Sequence, residues 1–167
     1  SDAYVGLCNL ALLGNDFEQA FKDAEKSVKL QPKNAMALNA RGWILFKQGK
    51  NKEAIRDFNR ALQYAPEFPL AYANRGVCYV KQKDFSQAVA DHTQHLKLDP
   101  ESAVAYSNRA VAWLGLGDYQ KTSDDFKTAE KLAPELDEAL NGYAWFLATC
   151  PDGAFRNGAL AIEKAKK

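Results

Sequence analysis

The segment LQPKN, at residues 30–34, recurs in recognisable form three more times in this chain of 167 residues. The related segments are YAPEF at 64–68, LDPES at 98–102 and LAPEL at 132–136. Their prolines, at positions 32, 66, 100 and 134, stand 34 residues apart each time. Proline ends a helix because it lacks the backbone donor and clashes with the preceding turn. A proline at this fixed interval therefore indicates a repeated structural unit.

Division into repeats 1–34, 35–68, 69–102 and 103–136 aligns similar residues at the same places. The eighth place holds a small residue in every copy: Cys8, Gly42, Gly76 and Ala110. Apolar residues follow helical spacing in both halves of each repeat, and the segments LGND, KQGK, KQKD and LGLGD interrupt them midway. Each repeat is therefore predicted to form two antiparallel helices.

This pattern resembles the tetratricopeptide repeat, whose W-x-x-L-G-x-x-Y … A-x-x-x-F … P signature and 34-residue length fit all four copies. The resemblance implies an all-α fold, a right-handed superhelical solenoid of antiparallel helix pairs, with 1–167 as one domain. The first helix of each pair would line its concave wall. Stacking buries an apolar stripe that one pair cannot bury alone.

A divergent fifth repeat is predicted at 137–167, with a loop between its helices that is longer by two residues. Allowing for those two residues puts Phe155, Ile162 and Ala165 at the core places of the last helix. The segment TCPDGAFRNG is similar to the terminal segment of bacterial tetratricopeptide proteins, which favours a bacterial source. Because amphipathic patterns run to both ends, we expect the chain to be part of a longer protein.

The charge and cysteine content exclude several classes of partner. Lys and Arg number 22 against 21 Asp and Glu, so no single-sign field points to nucleic acid. No apolar run approaches the roughly 20 residues that span a bilayer, and membrane insertion is not expected. Cys8, Cys78 and Cys150 are widely spaced, which favours free buried thiols and, weakly, a cytoplasmic location.

Both histidines lie in the stretch DHTQH at 91–95. His92 and His95 fall at the twenty-fourth and twenty-seventh places of the third repeat, where other repeats carry Phe58 or Ala61. A pair at i and i+3 could share a metal with Cys78 on the facing helix. The absence of a second ligand pair favours packing instead, and no metal or cofactor is expected.

Arginine recurs at the seventh place and aspartate at the twenty-third. Pairing within a repeat would leave Asp23 facing Leu7 without a partner, so we expect each aspartate to pair with the arginine of the following repeat. This pairing predicts the contacts Asp23–Arg41, Asp57–Arg75, Asp91–Arg109 and Asp125–Tyr143. The alternative is that these are solvated surface charges that contribute only ~0–1 kcal/mol each.

The arc of the first helices opposite the stacking face is the predicted binding surface. It mixes apolar anchors, side-chain amides and lysines. Its candidate partner-binding residues are Asn9, Asn39, Trp43, Phe46, Lys47, Leu70, Asn74, Val77, Lys81, Val104, Asn108, Val111, Asn141 and Trp145. Exposed apolar side chains in a row indicate a protein partner, and asparagine amides can hold a peptide main chain. The alternative is that the tryptophans pack against neighbouring repeats or a flanking segment.

Some members of the family hold the two carboxylates at a peptide C-terminus with lysine, asparagine and arginine. Counted from Trp43, the matching places hold Asn39, Asn74, Val104 and Asn108, and counted from Asn9 they likewise hold no cation. The resemblance therefore disfavours a chaperone-tail clamp.

No P-loop, nucleophile elbow or dinucleotide fingerprint occurs in the sequence, so no catalytic residue is expected. The sequence predicts a non-enzymatic module that binds a peptide or protein segment in the concave groove. The alternative is a scaffold or regulatory domain of a larger enzyme or complex. Self-association through exposed solenoid ends is left open as a second mode.

Overall fold

The computed structural model describes residues 17–166, with the side chains of residues 17 and 138 left out. This range contains nine α-helices and no strand, which confirms the all-α prediction for the described part of the chain. The helices are α1 (Phe17–Leu30), α2 (Ala35–Lys47), α3 (Asn51–Tyr64), α4 (Pro69–Lys81), α5 (Phe85–Leu98), α6 (Ala103–Leu116), α7 (Tyr119–Leu132), α8 (Asp137–Thr149) and α9 (Gly158–Lys164). The predicted helix before α1 lies outside the described residues.

The helices end at the predicted breaks, two residues before each repeated proline. A side chain caps the next helix in two of the four cases: Asn34 accepts the backbone N–H of Ala37 at 3.0 Å, and Ser102 accepts that of Ala105 at 3.3 Å. Such caps satisfy donors that the first helical turn leaves without a partner. The proline segments are thus both the stop of one repeat and the start of the next.

Two compact units make up the chain, divided between Gln82 and Lys83. In the first unit α1, α2, α3 and α4 pack in chain order, and α2 also contacts α4. In the second unit α5 to α9 pack in chain order, and α6 also contacts α8. Within each unit the first helices of successive pairs are therefore neighbours, as the repeat pattern predicts.

The first unit has a core of small and branched residues around one large ring. Val28, Leu38 and Leu62 form its main cluster with buried alanines. Phe58 is fully buried and packs against Leu45. The predicted small residue at the eighth place, Gly42, admits the Phe58 ring.

An aromatic cluster fills the second unit. The Phe126 ring lies 5.5 Å from that of Tyr143 and 6.1 Å from that of Phe146, and Phe155 packs against the same cluster. The predicted register of α9 is wrong beyond Phe155. Ile162 is 59% exposed and Ala165 is exposed, whereas Ala161 and Lys164 are buried. The loop thus adds one residue to the register, and Lys164 reaches Glu130, which neutralises its buried ammonium group.

None of the described helices combines the length and the apolar character needed to cross a bilayer.

Candidate functional site

Arg41 and Arg109, each on the first helix of a repeat, form ion pairs with an aspartate on the second helix of the same repeat. Arg41 donates from Nε to Oδ2 of Asp57 at 2.6 Å and from Nη2 to Oδ1 at 2.7 Å. Arg109 holds Asp125 in the same way at 2.7 Å and 2.8 Å. The hydrogen bonds that Arg41 donates to Asp57 raise the pKa of Arg41 above its ordinary value, although burial opposes this rise. These are charge-assisted bidentate pairs, which lock the two helices of a repeat together.

Three predicted pairings between repeats are therefore wrong: Asp23 with Arg41, Asp57 with Arg75 and Asp91 with Arg109. Tyr143, predicted to contact Asp125, instead stacks on the ring of Phe126, with centroids 5.5 Å apart. The physical reason is the hairpin: residues equally far from the turn lie side by side on antiparallel helices. Gly49 is midway between Arg41 and Asp57, with a left-handed φ of 78°. Gly117 is placed in the same way in the fourth repeat.

The histidines are buried, as predicted. His92 is 0% exposed and His95 is 8% exposed. Neither ring nitrogen of His92 has a hydrogen-bond partner among the described residues, nor does Nδ1 of His95. Burial lowers the pKa of His92 to about 3, and the positive charge of Arg109 and the neighbouring His95 add to the effect. The neutral imidazole of His92 thus occupies the core position that Phe58 and Phe126 fill in other repeats.

The alternative prediction for this region is a metal ion shared by His92, His95 and Cys78. Among the residues that the structure describes, no group of three histidine, cysteine or acidic side chains could hold a metal ion. Cys78, the suggested third ligand, is fully buried, and burial raises the pKa of its thiol to about 12. At neutral pH this thiol is protonated, which makes it a poor ligand and a poor nucleophile.

Eight of the predicted binding residues lie on α2 and α4 and form what we call the first-unit face. Their side chains range from buried to exposed. They are Asn39, Trp43, Phe46, Lys47, Leu70, Asn74, Val77 and Lys81. Asn74 Nδ2 donates to Asn39 Oδ1 at 3.0 Å, so the two amides link the neighbouring helices.

Aromatic and basic groups meet at one end of the first-unit face. The rings of Trp43 and Phe46 stack with centroids 5.2 Å apart, and Lys47 Nζ lies 4.6 Å from the Trp43 centroid. Both rings are half-buried and pack against the core around Phe58. Trp43 is thus partly a packing residue, while one side of the stack stays open.

A depression of about 440 Å³ adjoins this stack. Its lining is Phe46, Lys47, Gly49, Asn51 and Lys81. Phe46, Lys47 and Lys81 belong to the predicted binding surface, whereas Gly49 and Asn51 do not. Gly49 lies in the KQGK breaker and Asn51 directly follows it, and a turn that follows the first helix lies at the end of the exposed face of that helix.

Five more predicted residues lie on α6 and α8 and form the second-unit face. Their members are Val104, Asn108, Val111, Asn141 and Trp145. Trp145 is 60% exposed, and both valines are exposed by about two-fifths, at 42% and 38%. This face is apolar and amide-bearing and carries no lysine. The remaining candidate, Asn9, lies outside the described residues.

Models of one protein family match the sequence. The model described as "TPR repeat" matches residues 42–83, and models described as "Tetratricopeptide repeat" match residues 24–56 and 69–102. No curated protein matches the chain significantly by sequence.

Several solved structures are similar in fold. One is the second TPR domain of human RPAP3 in complex with the HSP70 peptide SGPTIEEVD, at 30% identity, with a TM-score of 0.63 and coverage of 65% of this chain and 91% of that one. Pseudomonas aeruginosa PilF matches at 18% identity and TM-score 0.85, covering 99% and 74% of the two chains. MamA of Desulfovibrio magneticus RS-1 matches at 19% identity and TM-score 0.80, covering 99% and 90%.

Proposed function

The chain belongs to the tetratricopeptide repeat family, and from that premise we propose that it is a non-enzymatic module that binds a segment of another protein along the first helices of its repeats. The first-unit face and the second-unit face are the proposed contact surfaces. Proteins of this family generally act through interaction rather than catalysis, and the partly solvated rows of side chains on α2, α4, α6 and α8 suit such a role.

One observation carries this proposal: the second place of both repeats whose first helices lie side by side in the first unit holds an exposed aliphatic side chain. Met36 on α2 is 55% exposed and Leu70 on α4 is 52% exposed. A single exposed aliphatic residue is ordinary, but the same place exposed on two neighbouring helices gives an apolar row. Such a row costs solvation free energy in the free protein and gains it when a partner covers the row.

The amides beside this row suit an extended main chain. Asn74 already donates to Asn39, which leaves the Asn74 carbonyl oxygen able to accept a peptide N–H. The human RPAP3 domain is in complex with a peptide that ends in EEVD. At the clamp places this chain has Val104 and Asn108 in its fourth repeat, with no cation. We therefore propose an internal segment as the ligand rather than an acidic C-terminal tail.

The test is a selection of random peptides of about a dozen residues, displayed on phage, against the immobilised protein. Selected peptides are synthesised, and their dissociation constants are measured by calorimetry. Leu70→Ala is expected to weaken binding at least tenfold, which corresponds to ~1.4 kcal/mol. The matched control is Leu132→Ala, a 40% exposed leucine on the second helix of its repeat, and it should bind as the unmodified chain does. Failure to enrich any peptide, or equal effects of both variants, would overturn the proposal.

A further inference from the structure

We propose that the depression between the ends of α2 and α4 receives the carboxylate of an aspartate or glutamate side chain, so that the first unit selects acidic segments that also carry a large apolar residue. The inference rests on the proposed function, because it names the chemistry of the segment that the first-unit face would bind. It gives Lys47, Lys81 and Asn51 a role in ligand selection, which the resemblance to the family does not assign to them.

Lysines at the same place of two successive repeats line this depression. Lys47 and Lys81 are the thirteenth residues of successive repeats and end α2 and α4. Both line the same 440 Å³ space. The turn at Gly49, with φ of 78°, brings Asn51 to the same wall. Two lysines and one asparagine thus line a space large enough for a carboxylate with its bound water.

Among the described residues, no carboxylate lines the depression, and its two lysines have no acidic partner. Within residues 17–166, neither Lys47 nor Lys81 forms an ion pair with an acidic side chain. Glu53 lines a neighbouring depression, but Lys50 and Lys52 line that one too. The region around the turn is therefore positively charged, although the whole chain has a formal net charge of only +1. Charge complementarity favours an acidic ligand here.

The neighbouring aromatic stack supplies the second half of the recognition. Phe46 belongs both to the stack with Trp43 and to the wall of the depression. Lys47 Nζ lies 4.6 Å from the Trp43 ring, a cation–π contact that restrains the amine at the edge of the apolar surface. An apolar side chain on the stack and a carboxylate close to it in sequence would contact Trp43 and Lys47 together.

The second unit provides an internal comparison. At the places equivalent to Lys47 and Lys81, the fourth and fifth repeats carry Gly115 and Thr149. A Cβ on Gly115 would lie only 2.4 Å from the Phe85 ring, so a lysine there would require that ring to move. The second-unit face therefore has no lysine at these two places, and we expect the preference for acidic peptides in the first unit only.

The same phage-displayed library tests the inference, with the full chain as bait. The unmodified chain should enrich peptides in which aspartate or glutamate lies within a few residues of an aromatic or aliphatic residue. Each enriched peptide is then synthesised in acidic and amide forms, with Glu replaced by Gln or Asp by Asn. The acidic form should bind at least fivefold more tightly at low ionic strength, and this advantage should shrink in ~0.5 M salt, where the Debye length is only a few ångströms.

Lys47→Gln with Lys81→Gln should abolish the difference between acidic and amide forms while the amide form binds as before. The control pair, Lys127→Gln with Lys131→Gln, removes the same total charge from exposed sites on α7 and should keep the difference. Enrichment of peptides without acidic preference, or a preference that survives the loss of both lysines, overturns the inference and leaves the proposed function standing. Enrichment of no peptide at all overturns both.

Discussion

The ring of Phe58 lies so close to the backbone of Gly42 that a Cβ at residue 42 would stand 2.8 Å from ring carbon Cε1. Phe58 is fully buried, so its ring has no free space to move into. We expect Gly42→Ala to destabilise the protein. Overpacking typically costs ~1–3 kcal/mol, whereas replacing a helical glycine by alanine gains ~1 kcal/mol, which leaves a net loss of up to about 2 kcal/mol. Urea denaturation followed by circular dichroism measures the difference.

Two other glycines provide controls for this substitution. Nothing lies within 4 Å of a Cβ at Gly158, and Gly158→Ala should be neutral or slightly stabilising. At Gly115 the nearest atom, Cδ1 of Phe85, is closer still at 2.4 Å, but Phe85 is only half-buried and can turn towards solvent. Gly115→Ala should therefore cost less than Gly42→Ala. The reverse order would show that distance, rather than the freedom of the ring, decides the cost.

A second prediction concerns the pair of Arg41 and Asp57. The Asp57 side chain is only 6% exposed, so Arg41→Met leaves a nearly buried carboxylate. Removing one partner of a fully buried pair costs ~3–5 kcal/mol. Here we expect about 2 kcal/mol, because Arg41 is itself 19% exposed and Arg60 remains 3.9 Å from Asp57.

A double-mutant cycle identifies the partner of Arg41. Arg41→Met combined with Asp57→Asn should show a coupling energy above ~1 kcal/mol, since the residues share two hydrogen bonds. The matched cycle with Asp23→Asn should show a coupling near zero, because Gln19 is the side chain that donates to Asp23. Strong coupling to Asp23 instead would restore the pairing between repeats that the structure contradicts.

The sequence predicts the helices well because the 34-residue period and the prolines at its end are local signals. The arginine–aspartate partners were predicted wrongly because a period gives the place of a residue but not the neighbour it faces. Arg41 and Asp57 lie 16 residues apart with Gly49 at the midpoint, and this symmetry about the turn was the usable signal. The error came from requiring every charged residue to have a partner, which packing does not demand.

The exposure of the candidate binding residues could be predicted only in part, for a similar reason. Helical geometry places Leu70 and Trp145 on an exposed arc, and both are exposed. Burial of the same helix face varies from residue to residue: Asn39 is only 6% exposed and bonds to Asn74 rather than to solvent. Such contacts depend on the distance between α2 and α4, which a single sequence does not give.

A third prediction follows from His92. The pKa of its folded form, about 3, lies below its ordinary value of 6.5. As pH falls below ~6.5 the unfolded chain takes up a proton at this position and the folded chain does not, so stability is full above that pH and declines towards pH ~3. His92→Phe, which copies Phe58 and Phe126 of other repeats, should reduce this decline. Urea midpoints at pH ~7 and ~4.5 measure it.

His92→Gln separates titration from packing, because glutamine is polar and does not ionise. Both variants should lose less stability on acidification than the unmodified chain, although His92→Gln should be less stable than His92→Phe at every pH. His95, whose pKa burial also lowers, remains in both variants and leaves a residual pH dependence of the same sign. An unchanged pH dependence in both variants would assign the acid sensitivity to groups other than His92.

The last prediction distinguishes two asparagines at the sixth place of successive repeats. Asn74 is held by its hydrogen bond to Asn39 before any ligand arrives, whereas Asn108 has no side-chain hydrogen bond in the described part of the chain. A side chain already fixed loses less rotamer entropy when it binds a peptide group. Asn74→Ala should therefore weaken binding of the selected peptides by about 1–2 kcal/mol, because a desolvated peptide N–H loses its acceptor. Asn108→Ala should cost less than half of that, as measured by calorimetry with the same peptide.

Asn39→Ala, which leaves Asn74 in place but removes its support, should fall between the two. If Asn108→Ala costs as much as Asn74→Ala, or if Asn39→Ala has no effect on peptides that Asn74→Ala weakens, the hydrogen bond between the two amides does not prepare the surface for a ligand.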